Sequence, residues 1–165
     1  MADFLGRLRF DGRHVVVLGA GQGIGWQAAT AVAEAGAKVS CVDIDEKLAA
    51  EVAEAVDGVP IVADVTKRAS MEKAIREATA AHGPVRSVLD IVGIARNRRL
   101  LEFTDAMWDH QFDMVLRHAF LALQVGSAAM DQQAGGSFVF ISSIAGLGVS
   151  GGHAPYGAAK AALSS

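Results

Sequence analysis

The chain has a single cysteine, Cys41, among its 165 residues. One thiol cannot close an intrachain bridge, so no disulfide framework holds this fold. Aromatic residues are scarce at 6%, and Tyr156 is the only tyrosine. Positive charge is not in excess. The formal net charge is −3, which lacks the basic footprint of a nucleic-acid binder. Five histidines are present, but none stands at metal-ligand spacing, so no metal site is expected. No uninterrupted apolar run reaches roughly 18 residues, so no membrane-spanning helix is expected. The first residues, Met1 to Arg7, carry no signal-peptide pattern. These absences lead to the expectation of a soluble, cytoplasmic protein with neither nucleic-acid nor membrane partners.

What is present is aliphatic. The apolar fraction is 52%, much of it Ala, Val, Ile and Leu. Such a composition suits buried parallel strands under tightly packed helices. Apolar runs and helical stretches alternate along the chain. Strands are predicted near 14–18, 38–43, 59–64, 87–92 and 137–141. Helices are predicted near 22–36, 45–57, 67–82 with Thr66 as cap, and 105–131 with Thr104 as cap. A last helix opens at Pro155, a favoured first-turn residue. Short loops between alternating elements imply right-handed crossovers, and so a parallel sheet covered on both faces.

The run Leu18-Gly19-Ala20-Gly21-Gln22-Gly23-Ile24-Gly25 joins the first strand to the first helix. Glycines in such a turn allow a tight bend, a close approach to a pyrophosphate, and close packing of helix on strand. The helix start then offers N–H groups to phosphates. The pattern is G-x-x-x-G-x-G, at Gly19, Gly23 and Gly25, since Ile24 and Trp26 break the commoner G-x-G-x-x-G. Asp43 follows Gly25 by 18 residues, at the end of the second predicted strand. A carboxylate there can accept hydrogen bonds from both ribose hydroxyls of an adenosine, and it repels a 2′-phosphate. The bland alternative is that Asp43 caps the next helix, as Asp45 can. The cofactor expected is NAD.

A second constellation lies in the last third. Ser142-Ser143 follows the fifth strand, Tyr156 comes 13 residues after Ser143, and Lys160 comes four after Tyr156. Positions i and i+4 share a helix face, so phenol and ammonium can meet. A free tyrosine has a pKa of about 10, and a nearby cation favours the phenolate. With Ser143 holding a carbonyl oxygen, the group can protonate a carbonyl that receives a hydride, or deprotonate an alcohol that loses one.

Taken together, these motifs resemble the classical short-chain dehydrogenase/reductase family over the whole chain. The match includes Gly19, Gly23, Ile24 and Gly25, Asp43, Asp64-Val65, Gly93, Trp108, Ser143, Tyr156 and Lys160. The resemblance implies a Rossmann-type, doubly wound α/β sheet with helices on both faces. It implies Ser143, Tyr156 and Lys160 as catalytic residues. Cofactor contacts are implied at Gly19, Gln22, Gly23, Ile24, Gly25, Asp43, Asp64, Val65, Gly93, Tyr156 and Lys160, with Asp64 and Val65 flanking the adenine. It also implies a homodimer or homotetramer through the long helix and the helix after Pro155.

The chain departs from the family's pattern in several places. Leu18 replaces a usual Thr. Leu89-Asp90-Ile91-Val92-Gly93 replaces an Asn-Asn-Ala-Gly run, keeping only the glycine. Val115 stands where a catalytic Asn is usual. Gln111 and His118, at i−4 and i+3 from Val115, are the candidates to supply the missing polar group. The chain also stops five residues past Lys160. Residues 1–165 are therefore read as a single dinucleotide-binding domain, incomplete at its C-terminus, with the family's last strands and substrate lobe missing.

The remaining signals resolve more simply. Arg96, Arg98 and Arg99 read as a solvated or interface loop rather than an anion site. Gly148-Val149-Ser150-Gly151-Gly152 matches G-x-S-x-G literally, but no strand directly precedes the serine as a nucleophile elbow requires. Trp108, Phe112, Leu116, Phe120 and Leu123 form an apolar stripe expected to serve core and subunit contact. Two functional readings follow. One is an NAD-dependent oxidoreductase acting on an alcohol or ketone. The other is a non-catalytic fragment that binds dinucleotide or only a partner subunit.

Overall fold

A computed structural model describes residues 6–148 and 151–165. Val149 and Ser150 of the G-x-S-x-G match, and residues 1–5 at the start, lie outside the described residues. Five parallel strands form one sheet in the order β3-β2-β1-β4-β5. They are β1 (His14–Leu18), β2 (Lys38–Asp43), β3 (Val59–Val62), β4 (Val85–Asp90) and β5 (Ser137–Phe140). The helices are α1 (Gly23–Glu34), α2 (Glu46–Ala55), α3 (Arg68–His82), α4 (Asp105–Phe112), α5 (His118–Ala128) and α6 (Ala154–Ser164).

The central strand explains the layering. All five residues of β1 are buried. Its side chains alternate between faces. Val15 and Val17 join Ala29, Val39, Cys41 and Val52 under α1 and α2. Val16 and Leu18 join Met71, Ile75, Val88 and Leu121 under α3 and α5. Each buried valine or leucine contributes about 1.5–3 kcal/mol relative to exposure. Burial pushes the Cys41 thiol up to about 12, so it is an inert core group. Among the described residues, no helix is long and apolar enough to cross a membrane.

Three strands end sooner than the apolar runs suggest, and aspartates are the reason for two of them. β3 stops at Val62 rather than residue 64, because Asp64 Oδ1 accepts both the N–H (3.0 Å) and the hydroxyl (2.6 Å) of Thr66. Thr66 is thereby not the helix cap expected of it. Lys67 takes that position without a side-chain bond. β4 starts at Val85 and ends at Asp90, whose Oδ1 accepts the Val92 N–H at 3.2 Å and turns the chain out of the sheet. β5 ends at Phe140, since the Ile141 carbonyl is taken by a side chain described below.

The single helix expected over 105–131 is also revised. α4 passes into a π-helical turn, Asp113–Arg117, before α5 begins. Neither Gly nor Pro stands in the turn. The deviation coincides with tertiary bonds that periodicity does not contain, made by Gln111 and His118. The apolar stripe on this helix is not core either. Trp108, Phe120 and Leu123 are all more than two-fifths exposed, with Trp108 stacked on Phe112 at 5.0 Å.

Far from the carboxyl edge of the sheet, His14 Nδ1 donates to the Gly83 carbonyl and Nε2 accepts from the Ser40 hydroxyl, each at 2.9 Å. Burial holds its pKa below the ordinary value, opposed by the Gly83 carbonyl, with small lowering from the His82 and Lys38 charges. The folded state thus prefers the neutral ring, and the unfolded chain binds more protons. Stability is complete above the ordinary value of 6.5 and is lost as pH falls from there through the folded value. Urea unfolding measured from pH 8 to 5 should show this loss, and His14→Gln should flatten that part of the curve.

Candidate functional site

The strand order reverses at β1. The chain moves outward through β2 and β3, then returns on the other side of β1 as β4. Such a reversal leaves a crevice at the carboxyl ends of the strands. Here a cavity of about 340 Å³ opens there, walled by Gly19, Gln22 and Ile24, by Asp43, by Asp64 and Val65, and by Ile91 to Ile94. The first, second, third and fourth strand ends thus all contribute to one space.

The glycine turn shapes its floor. Gly19 has φ +76, a conformation that side chains rarely adopt. A Cβ at Gly25 would collide with the Gly19 carbonyl oxygen, so α1 can approach β1 this closely only with glycine there. The N-cap residue Gln22 makes no side-chain cap bond, and no acidic residue occupies the first turn of α1. The start of α1 therefore keeps N–H donors and the positive end of the helix dipole for an anion.

Asp43 closes one side. Its Oδ2 accepts the Gly21 N–H at 2.8 Å, and Oδ1 accepts the Asp45 N–H at 3.1 Å. Asp45, not Asp43, caps α2, accepting the Leu48 N–H at 3.1 Å. The capping alternative for Asp43 therefore does not describe this structure. No cation pairs with Asp43 among the ion pairs of the described residues. The glycine cradle, the uncapped helix start and this carboxylate fit a dinucleotide.

The second constellation sits beside the far wall. Tyr156 and Lys160 share a face of α6, with Nζ 5.8 Å from the phenol ring centroid. Lys160 is buried, and Nζ donates to the Ile141 carbonyl at 2.5 Å. Burial pushes its pKa down, while the Asp90 carboxylate pushes it back up. A Cβ on Gly93 would lie 3.4 Å from Nζ, so the cavity wall touches the lysine. Ser143 Oγ accepts the Ala145 N–H at 3.2 Å and starts the 3-10 turn Ile144–Gly146. That turn lies against α6 through Gly146 and Gly157, where backbone meets backbone too closely for a side chain. The loop of Ser143 is thereby seated on the helix that carries Tyr156 and Lys160.

Val115 is fully buried in the π turn and offers no polar side-chain atom. Of the two candidate substitutes, Gln111 is already committed. Its Oε1 accepts the Arg96 N–H at 3.1 Å, and Nε2 donates to the Ile94 carbonyl at 2.5 Å. It fixes the loop that leaves β4. His118 is committed too, donating from Nδ1 to Asp90 Oδ2 at 2.7 Å. Asp90 was not among the site residues expected from the sequence. The available signal is an acid set between Leu89 and Ile91, at the end of an otherwise apolar run. Arg96, Arg98 and Arg99 are exposed on the loop after β4, where the backbone of Arg98 donates to the Gly152 carbonyl at 2.8 Å.

Comparison with known proteins identifies the class. Residues 13–165 match the family described as short chain dehydrogenase. The chain belongs to this family, whose members are oxidoreductases that use nicotinamide dinucleotides. It is 30% identical to the 3-oxoacyl-[acyl-carrier-protein] reductase FabG of Escherichia coli over 158 residues, 94% of this chain and 65% of that protein. It is 32% identical to the levodione reductase of Leifsonia aquatica over 160 residues, 92% of this chain and 60% of that protein. A dehydrogenase/reductase structure from Sinorhizobium meliloti superposes with TM-score 0.91 at 28% identity, covering 96% of this chain and 65% of that one. The chain thus spans about two thirds or slightly less of the length of these relatives.

Gly25→Ala tests the floor of the crevice. The new methyl must push α1 off β1, an overpacking change that costs about 1–3 kcal/mol. The urea midpoint should fall accordingly, with the slope unchanged.

Proposed function

We propose that this chain is the dinucleotide-binding domain of an NAD-dependent oxidoreductase that interconverts an alcohol and a ketone. The observation that carries this reading is the single crevice that joins the uncapped start of α1, Asp43 and the Lys160 wall at Gly93. In this reading Gly19, Gln22, Gly23, Ile24 and Gly25 receive the pyrophosphate, Asp43 the adenosine ribose, and Asp64 and Val65 the adenine. Gly93, Tyr156 and Lys160 border the nicotinamide end. The nicotinamide ring, when bound, supplies or takes the hydride.

The chain's own groups handle the proton. The Tyr156 hydroxyl gives it to a carbonyl oxygen or removes it from an alcohol. The Lys160 ammonium stabilises the phenolate left behind. The Ser143 hydroxyl holds the substrate oxygen. A homodimer or homotetramer in the cytoplasm is part of the proposal, and the exposed Trp108, Phe120 and Leu123 are the surface it would cover. The buried, apolar Val115 favours a second reading, a non-catalytic dinucleotide binder, because a buried valine offers no side-chain atom to a proton relay.

NAD is favoured over NADP because Asp43, which has no ion-pair partner among the described residues, puts a carboxylate at the ribose end. Each hydrogen bond to a charged group contributes about 1.5–3 kcal/mol. Asp43→Ala should therefore weaken NAD binding about ten- to a hundredfold. Titration calorimetry with both cofactors checks this, and equal or tighter NADP binding by the unaltered protein would sink the NAD assignment.

A screen of secondary alcohols and ketones with NAD(H) tests the reaction itself. Tyr156→Phe should lower turnover by about 10²–10⁴ while NAD binding persists. Cofactor binding with no turnover on any substrate class would select the non-catalytic reading.

A further inference from the structure

Asp90 and His118 form a carboxylate–imidazole pair in which both side chains are excluded from solvent, 1% and 0% exposed for His118 and Asp90 respectively. A buried ionic group is costly unless something answers its charge. The hydrogen-bond geometry argues against His118 as that answer. Asp90 has no proton to give when ionised, so Nδ1 of His118 carries the hydrogen in the 2.7 Å contact. The other ring nitrogen, Nε2, is buried with no hydrogen-bond partner. A protonated imidazole would carry an N–H there with no acceptor. A neutral one leaves only a lone pair, which protein interiors tolerate better than an orphaned donor. The arrangement therefore fits a neutral ring beside an ionised carboxylate, and the pair keeps one negative charge.

A buried cation, Lys160, lies across the end of β4. The Ile141 N–H donates to the Asp90 carbonyl at 3.4 Å, and the Ile141 carbonyl accepts from Lys160 Nζ at 2.5 Å. Gly93, three residues after Asp90, faces the same ammonium, which a Cβ there would meet at 3.4 Å. Asp90 Oδ1 also holds the Val92 N–H, so its side chain fixes the 91–93 wall that separates the cavity from Lys160. Among the described residues, Asp90 from β4 is the charge that acts on Lys160, and Tyr156 lies beside it on its own helix. His118 from α5 meets Asp90, and His153 lies edge-on to Tyr156 at 6.2 Å between ring centroids.

We propose that Asp90 is the buried counter-charge of Lys160, and that His118 is the neutral donor that holds it in place. Both are positioning residues. Asp90 keeps the lysine cationic inside a dry wall, and His118 orients Asp90. The consequence for turnover rests on the oxidoreductase reading above, whereas the electrostatic pairing does not.

The test follows Lys160 itself. Protein labelled with carbon-13 lysine is titrated by NMR, with the Lys160 signal assigned by its loss in Lys160→Met. Asp90→Asn removes the charge at nearly constant shape and keeps one of the two side-chain hydrogen bonds, the amide oxygen still accepting from His118 Nδ1. The Lys160 midpoint should move to lower pH. A purely structural Asp90 leaves it unmoved, and that result overturns the proposal. His118→Gln keeps a neutral donor, so the midpoint should stay. A rise would mean that a positive His118 had been removed, and would overturn the neutral-donor assignment.

Should Asp90→Asn fail to fold, Lys160→Met decides. Its loss of stability should be larger at neutral pH, where Asp90 is left charged and unanswered, than at acid pH. An equal loss at both overturns the pairing. If the protein turns over, Asp90→Asn should lower ketone reduction about tenfold or more at neutral pH, with recovery as acid recharges Lys160. A protein that shows the NMR shift but no turnover keeps the pairing and loses the oxidoreductase reading. Turnover without the shift does the reverse.

Discussion

Everything at the carboxyl edge of this sheet depends on how closely α1 approaches the end of β1. Gly25 against the Gly19 carbonyl sets that approach. It places the Gly21 N–H on Asp43, and so ties the glycine turn to the end of β2. On the other side Gly19 touches Val92, where a Cβ would come within 3.0 Å of its Cγ2. The turn is therefore gripped by both neighbours of β1. A methyl group in the floor would disturb the Asp43 carboxylate and the 91–93 wall together. That makes the crevice a shared property of the first four strand ends, and not a pocket added to a finished sheet.

The same edge shows one chemical device used three times. Asp43, Asp64 and Asp90 each follow or end an apolar strand. Each accepts the backbone N–H of the residue two positions on: Asp45, Thr66 and Val92. This local side-chain bond competes with the sheet ladder and turns the chain out of it. The free energy of stopping a strand and the placing of a carboxylate at the crevice thus come from one residue. The three differ in what else they hold. Asp43 takes a second backbone donor at the cavity, Asp64 a threonine hydroxyl, and Asp90 a buried imidazole. Asp43 and Asp64 are half-buried at the rim, and Asp90 lies in the dry interior.

How much of this the sequence discloses follows from where the information resides. The layered α/β architecture is legible because β1 is an unbroken apolar run and the helices alternate with strands on a short period. The glycine turn and Asp43 are legible because the constraint is local: a bend, an approach, and an acid at a fixed distance. The face shared by Tyr156 and Lys160 follows from helix geometry alone. The strand ends, by contrast, depend on side-chain bonds of single aspartates, which an apolar pattern does not register. The π turn and the Asp90–His118 pair depend on contacts between residues 28 positions apart. Read locally, Asp90 looks like a flaw in a buried strand and His118 like one polar residue on a long helix.

The π turn ties these distant contacts into one constraint on Val115. Gln111, Val115 and His118 are all buried, within about two helical turns of chain. Gln111 spends both ends of its amide on the loop leaving β4, and His118 supports the strand end from which that loop departs. Between them the helix holds the loop at both its root and its middle. The position between two committed polar groups must then fill space without asking for a partner. Valine does this, whereas a buried amide with an unmet donor or acceptor costs about 1–3 kcal/mol. Two neighbours fully engaged with β4 and its loop leave little with which to satisfy it. The aliphatic residue at 115 and the acid–imidazole pair at 90 and 118 are on this view one coupled solution. The polar burden is carried by a strand end and a histidine, and the helix interior between them stays apolar.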